Sequence, residues 1–238
     1  MRDAAMELLL LSNSTSDRGY LVDALFEIGP FARSVGEAMF VPYAGVTRSW
    51  DAYEARVAEA LAPTGLRMRS VHRASDPAAA VREADLVIVG GGNTFNLLHH
   101  CRRTGVLKAL AERARAGTRY IGWSAGANLV CPTIRTTNDM PVIDPDGFDA
   151  LGLVPFQINP HFTDAIPAGH HGETRSERLA EFTALNPSIP VLALPEGSWV
   201  RVSGTTMTLG GERGALWIVQ GRVAEKVSAG VLSMPSVG

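Results

Sequence analysis

The chain has 238 residues, 46% hydrophobic and 19% charged, with 22 Lys+Arg against 24 Asp+Glu. That length suits one domain and buries about 70–75% of the unfolded surface, so no disulfide or metal staple is required. The formal net charge of −2 excludes a generally basic nucleic-acid binder, and the lack of any run of ~18 apolar residues argues against a membrane-spanning helix.

Residues 1–5 read as a ragged leader. Met6–Leu11 reads as a buried strand, and its apolar stretch is too short for a signal-peptide core. Glu37–Val41 is a second strand, stopped by Pro42. Trp50–Ala62 is a helix ended by Pro63 and Gly65, and Arg67–Val71 a third strand. Asp76-Pro77 starts a helix, with Asp as N-cap and Pro at the first helical position, running to about Ala84. Asp85–Val89 is a short β-branched run of the buried parallel kind. Three glycines follow, then helix from about Thr94 to Arg115, strand from Tyr120 to Trp123, and helix from Ser124 to Val130. Val191–Leu194 is one more apolar strand. Trp199–Val202, Thr206–Leu209, Ala215–Val219 and Gly221–Val227 follow closely, separated by Gly-rich turns.

The alternation predicts an α/β fold. A mostly parallel central sheet carries helices on both faces, with antiparallel C-terminal hairpins appended. Residues 1–238 read as a single catalytic domain, with about 198–238 as the antiparallel extension. Cys101 and Cys131 lie in apolar contexts, which suits a reduced, cytoplasmic protein.

The sharpest local signal is Gly122-Trp123-Ser124-Ala125-Gly126. It fits Gly-x-Ser-x-Gly with a strand before it and a helix after it. Such a turn lifts the serine hydroxyl out at the carboxyl edge of the sheet. The following helix aims free N–H groups at it, so the Ala125 N–H is a candidate oxyanion donor. The competing reading is a tight βα turn with a serine N-cap. Gly90-Gly91-Gly92 follows the neighbouring strand and lacks the spacing of a phosphate loop. In a hydrolase, Gly91 or Gly92 supplies the second oxyanion N–H. Asn93 and Thr94 are helix caps or candidate substrate contacts.

A serine nucleophile needs a base. Of the six histidines, His72, His99, His100, His170 and His171 fall in turns, a polar helix face or a glycine loop. His161 follows a short apolar run and Pro160, at a strand's end, and is the predicted base. Two acids compete to orient it. Glu196 follows the strand ending at Pro195, and Asp139 lies in a polar loop. The strand-end position favours Glu196, and Asp139 then either binds the substrate amine or shapes its loop. No His-Glu-x-x-His or Cys-x-x-Cys spacing exists, so no metal and no cofactor is predicted.

Ordered blocks, namely Met6–Ser14, Pro42–Thr47, Ile88–Phe95, Tyr120–Asn128, Cys131–Pro141, Gln157–Phe162, Gly172–Arg175 and Leu194–Gly197, resemble the peptidase E family of bacterial aspartyl dipeptidases. The resemblance spans about Met6 to Gly211. It implies a serine peptidase of the class I glutamine-amidotransferase-like fold that hydrolyses dipeptides beginning with aspartate. By resemblance, Ser124 is the nucleophile and His161 the base. The third member is Glu196 or Asp139. Arg175 matches the arginine that holds the aspartyl carboxylate. The expected partner is a small Asp-Xaa peptide, with no nucleic acid and no membrane, and the late hairpins allow a homodimer. Alternatives are a cyanophycinase-like peptidase, or a non-catalytic metabolite-binding module built on Gly90–Gly92. A glutamine amidotransferase would need cysteine where Ser124 stands.

Overall fold

A computed structural model describes residues 5–166, 168–169 and 171–237. Residues 1–4 of the expected leader, and His170, lie outside the described residues. The elements run β1 (Glu7–Leu11), β2 (Thr15–Ser16), β3 (Gly19–Tyr20), α1 (Leu25–Phe31), β4 (Glu37–Val41), α2 (Trp50–Leu61), β5 (Arg67–Ser70), α3 (Pro77–Arg82) and β6 (Leu86–Val89). Then come α4 (Thr94–Arg103), α5 (Val106–Arg115), β7 (Arg119–Trp123), α6 (Ala125–Asn128), β8 (Gln157–Asn159), α7 (Arg175–Leu185) and β9 (Val191–Ala193). The last strands are β10 (Trp199–Ser203), β11 (Thr206–Gly210), β12 (Ala215–Val219), β13 (Arg222–Val227) and β14 (Gly230–Val231).

The main sheet has the order β14-β11-β10-β1-β7-β6-β4-β5. Strands β1, β7, β6, β4 and β5 pair in parallel, and β10, β11 and β14 extend the β1 edge antiparallel. Its central strands are mostly apolar because both faces are covered, whereas the edge strand β5 carries Arg67 and Arg69. Alternate residues divide between two cores. Leu8, Leu10, Val87 and Val89 pack with Val81, Leu97, Leu98, Val106 and Leu110 of α3, α4 and α5. Leu9, Leu11, Ile88, Ile121 and Trp123 pack with Ile28 and Phe31 of α1 and with Tyr53, Val57 and Leu61 of α2.

A second sheet, β13-β12-β9-β8, stands apart from the first. This refines the expected layout. Val191–Ala193 belongs to the second sheet, and only the β10–β11 hairpin joins the main one; β12–β13 extends β9. The second sheet packs Ile158, Leu192 and Trp217 into the larger core. Its other face meets Leu179 of α7 through Val191, Ala193 and Ile218.

Asp76 caps α3 as its sequence predicts, its side chain accepting from the Ala79 N–H at 2.9 Å. The helix expected from Thr94 to Arg115 is two helices. Gly105 adopts φ 71° between them, a left-handed turn that ends α4 and restarts the chain as α5. Helix α7 is missing from the sequence reading, although Thr174 and Glu177 form a complete capping box at its start. No helix among the described residues is long and apolar enough to cross a membrane.

Cys101 and Cys131 are unpaired and fully buried. Burial pushes the Cys131 thiol up to about 12 and drives the Cys101 thiol up as well. In the folded protein at pH 8, a disulfide-exchange reagent should therefore find no reactive thiol, and two equivalents should appear on denaturation. Rapid labelling of the native protein would contradict this packing.

Candidate active site

Strand β7 delivers Ser124 at the carboxyl edge of the main sheet. Ser124 has φ 52° and ψ −111°, a strained conformation for a residue with a side chain. Its N–H is tied to the Leu11 carbonyl at 3.0 Å, and its carbonyl accepts the Asn128 N–H at 2.9 Å. The small neighbours are required by close backbone approach. A Cβ on Gly122 would stand 2.5 Å from the Gly126 carbonyl oxygen, and one on Gly126 would stand 2.2 Å from that of Val89. Ser124 occupies the N-cap position of α6 but makes no side-chain cap. Its hydroxyl is turned to His161 instead.

His161 arrives from the other sheet, two residues past β8. Its Nε2 lies 2.9 Å from Ser124 Oγ. Its Nδ1 lies 2.6 Å from Glu196 Oε1. A carboxylate accepts only, so Nδ1–H donates to it and the Nε2 lone pair faces the Ser124 hydroxyl. The His161 and Glu196 side chains are 39% and 53% exposed, so this hydrogen bond adds little to stability and serves orientation.

His161 also has a positive φ, 54°. Both sides of its peptide unit are held. Its N–H donates to Ser12 Oγ at 2.8 Å, and its carbonyl accepts from Arg175 Nη1 at 2.8 Å. Ser12 is buried just past β1 and donates in turn to the Leu194 carbonyl at 2.8 Å. Next to it, Asn13 Oδ1 accepts the Gly197 N–H at 2.8 Å and so fixes the turn that carries Glu196. Neither Ser12 nor Asn13 was singled out from the sequence. Their block was visible, but their role exists only once three loop ends meet.

Asp139 does not reach His161. Its Oδ2 accepts from the Thr94 N–H at 2.7 Å, Thr94 Oγ1 at 2.5 Å and Thr137 Oγ1 at 3.0 Å, across the start of α4. It is therefore no orienting acid in this geometry. Thr94 is buried and spent on Asp139, which corrects its reading as a substrate contact. The Asn93 side chain is committed as well, capping Asn96 N–H at 3.0 Å and donating to the Met140 carbonyl at 2.8 Å. Asn93 still lines the cavity at the serine, as does Asp139.

Among the described residues, the N–H groups of Gly91, Gly92 and Ala125 have no protein acceptor, whereas the Gly90 and Asn93 N–H groups bond to Val41 and Ala44 carbonyls. A Cβ on Gly91 would lie 3.0 Å from the Ser124 Cβ, so this loop passes directly over the serine. Tyr53 of α2 fixes the loop. Its hydroxyl donates to the Gly91 carbonyl at 2.8 Å and accepts from Trp123 Nε1 at 3.3 Å. Holding that carbonyl turns the Gly92 N–H of the same peptide unit the opposite way. Burial pushes the Tyr53 hydroxyl well above its ordinary pKa, so it stays a donor. Sequence periodicity marks Tyr53 only as a core position.

The cavity at Ser124 has a volume of about 460 Å³ and is lined in part by Tyr20, Arg48, Tyr53 and Arg56. Such a volume suits a small ligand. Arg175 is not among the lining residues. It stands behind His161, and burial lowers the pKa of its guanidinium. A second serine–histidine–aspartate group, Ser70–His72–Asp51, joins at 2.6 and 2.8 Å, but Ser70 is buried and serves the Phe40 carbonyl. Asp51, Glu54 and His72 cluster closely enough for a cation, yet Arg73 already bridges both carboxylates at 2.7 and 2.6 Å.

The sequence profile of peptidase family S51 matches residues 8–210. Peptidase E from Salmonella heidelberg (strain SL476) is 52% identical over 227 residues, covering 94% of this chain and 99% of that protein. Peptidase E from Salmonella typhimurium (strain LT2) matches to the same extent. The crystal structure of a peptidase from an acI-B1 Actinobacterium superposes with a TM-score of 0.69 over 98% of each chain. At 15% identity that likeness speaks for the fold alone.

The close approach at Gly126 gives a direct test of the turn. Gly126→Ala should lower stability by about 1–3 kcal/mol, read from the denaturant midpoint at unchanged slope. A midpoint equal to wild type would mean that the backbone there is not packed as described.

Proposed function

As a member of peptidase family S51, the chain is a serine peptidase, and we propose that it is a dipeptidase releasing aspartate from Asp-Xaa peptides. The observation that carries the catalytic reading is the pair of hydrogen bonds at His161, 2.9 Å to Ser124 and 2.6 Å to Glu196.

In this reading His161 Nε2 takes the Ser124 proton as Oγ attacks the peptide carbonyl. Glu196 keeps the imidazole in the required tautomer and stabilises the imidazolium. The oxyanion lies between the Ala125 N–H and the Gly91–Gly92 backbone. The imidazolium then protonates the leaving amine. Water, deprotonated by His161, attacks the acyl-enzyme and releases aspartate and free Ser124.

The substrate's charges supply the selectivity. Asp139 Oδ1 has no partner among the described residues, so it is free to take the α-ammonium, while Oδ2 stays locked on α4. Arg175 has donors left beyond the one spent on His161, and its half-buried charge forms no ion pair among the described residues. That favours the aspartyl carboxylate as its ligand. The same proposal treats the chain as one catalytic domain. Its unpaired, buried cysteines support a reducing, cytoplasmic setting.

Purified protein should cleave Asp-Leu and leave Glu-Leu largely intact; the reverse preference would refute the aspartyl reading. Ser124→Ala should fold normally and lose hydrolysis, and residual full activity would remove Ser124 as nucleophile. Glu196→Gln should cut kcat by up to about 10³–10⁴-fold. Asp139→Asn should act mainly on KM. An exchange of those two patterns would reassign the acids. Tyr53→Phe should lower kcat by about tenfold or more with little change in KM, because it loosens an oxyanion donor without touching substrate.

A further inference from the structure

Two arginines line the same cavity as Ser124 and have no assigned part in the reaction. Arg48 lies in the segment between β4 and α2, and Arg56 on α2. Neither guanidinium makes a hydrogen bond or an ion pair among the described residues. Each lies instead over a tyrosine of the cavity wall. Arg48 Cζ is 5.2 Å from the Tyr53 ring centroid, and Arg56 Cζ is 4.1 Å from that of Tyr20. Aromatic faces hold a guanidinium in place while leaving its N–H edge free to bind an anion.

Both tyrosines connect directly to the reacting centre. The Tyr53 hydroxyl holds the Gly91 carbonyl, and the Gly91 Cβ position is 3.0 Å from that of Ser124. Tyr20 meets the Trp123 ring edge-on at 6.3 Å, one residue before the serine. Both guanidiniums therefore border the cavity into which Ser124 opens. In a dipeptide, the carboxylate of the leaving residue is only about one residue's length, ~3.8 Å, from the carbon under attack.

We propose that Arg48 and Arg56 form the subsite for the free α-carboxylate of the leaving residue. This assignment rests on the dipeptidase reading above and extends it to the far side of the scissile bond. It follows from a count of charges. An Asp-Xaa zwitterion carries one ammonium and two carboxylates. Asp139 serves the ammonium and Arg175 the aspartyl side chain. The remaining carboxylate faces a cavity whose other two charged residues are unpaired arginines. A peptide with its C-terminus amidated or extended leaves those cations without their partner, so the same pair disfavours longer chains.

The test compares Asp-Leu with Asp-Leu-amide in wild type and in Arg48→Gln, Arg56→Gln and the double variant. Wild type should show a KM for the amide about 10- to 100-fold above that for the free acid, the range of one charge-assisted contact. The double variant should lose that discrimination, with the KM for Asp-Leu rising to meet that of the amide. Both residues sit at the surface end of the cavity, and circular dichroism of each variant checks that the fold is intact. Equal losses on the two substrates would mean that the arginines act on the first residue, which overturns the proposal. Unchanged discrimination in the double variant overturns it too. If wild type cleaves neither peptide, the dipeptidase reading fails and takes this one with it. If it cleaves both with equal KM, the dipeptidase reading stands and only the subsite falls.

Discussion

A single hydrogen bond between Ser124 Oγ and His161 Nε2, 2.9 Å long, joins the ends of two different sheets. The serine belongs to the main sheet and the histidine to the smaller one. Side chains on separate sheets stay in register only if the sheets are locked together near the contact. Ser12 supplies that lock. It bonds at once to the His161 backbone and to the Leu194 carbonyl, at the ends of β8 and β9. The main-sheet strand β1, through the residue after it, thereby positions both histidine and glutamate loops.

The lock holds two residues in uncommon backbone conformations. Ser124 and His161 both have positive φ, at a cost of order 1–3 kcal/mol each. The cost is sustained because the N–H and carbonyl of each of these two residues are committed. Leu11 and Asn128 grip the serine peptide, and Ser12 and Arg175 grip the histidine peptide. Relaxation of either residue would break several bonds together. The glycines at 122 and 126 permit the approach of strand and helix that makes the serine turn so tight. Rigidity here is built from backbone contacts, so the side chains remain free for chemistry.

Much of this was readable from the letters, for a physical reason. Strand β6 and residues 8–11 of β1 are apolar at every position because both faces are covered, and the serine turn demands small residues at fixed offsets. Those signals are local. The break between α4 and α5 was also local, in Thr104-Gly105, but the amphipathic pattern continues across it and masked the stop. Helix α7 was hidden because its capping box follows a glycine-rich loop. The choice between Glu196 and Asp139 was not local at all. Both follow apolar runs or polar turns of similar character. Only the fold puts one against His161 and the other against Thr94. Tyr53, Ser12 and Asn13 were unreadable for the same reason, since each acts through a partner far away in sequence.

The placement of Asp139 has a consequence for charge. One oxygen of its carboxylate is saturated by Thr94 and Thr137 at the amino end of α4, where the helix dipole favours a negative charge. The carboxylate is thus held immobile, and its second oxygen has no partner among the described residues. Arg48 and Arg56 line the same cavity, each over a tyrosine ring and without an ion pair among the described residues. In the proposed reading, an anchored carboxylate and two unpaired guanidiniums in one cavity form a template for a small zwitterion. Neutral ligands would leave these charges without partners. A charged ligand bound as proposed would align its ends with these groups and present its middle, the peptide bond, to Ser124. Selectivity and orientation for attack then arise from the same contacts.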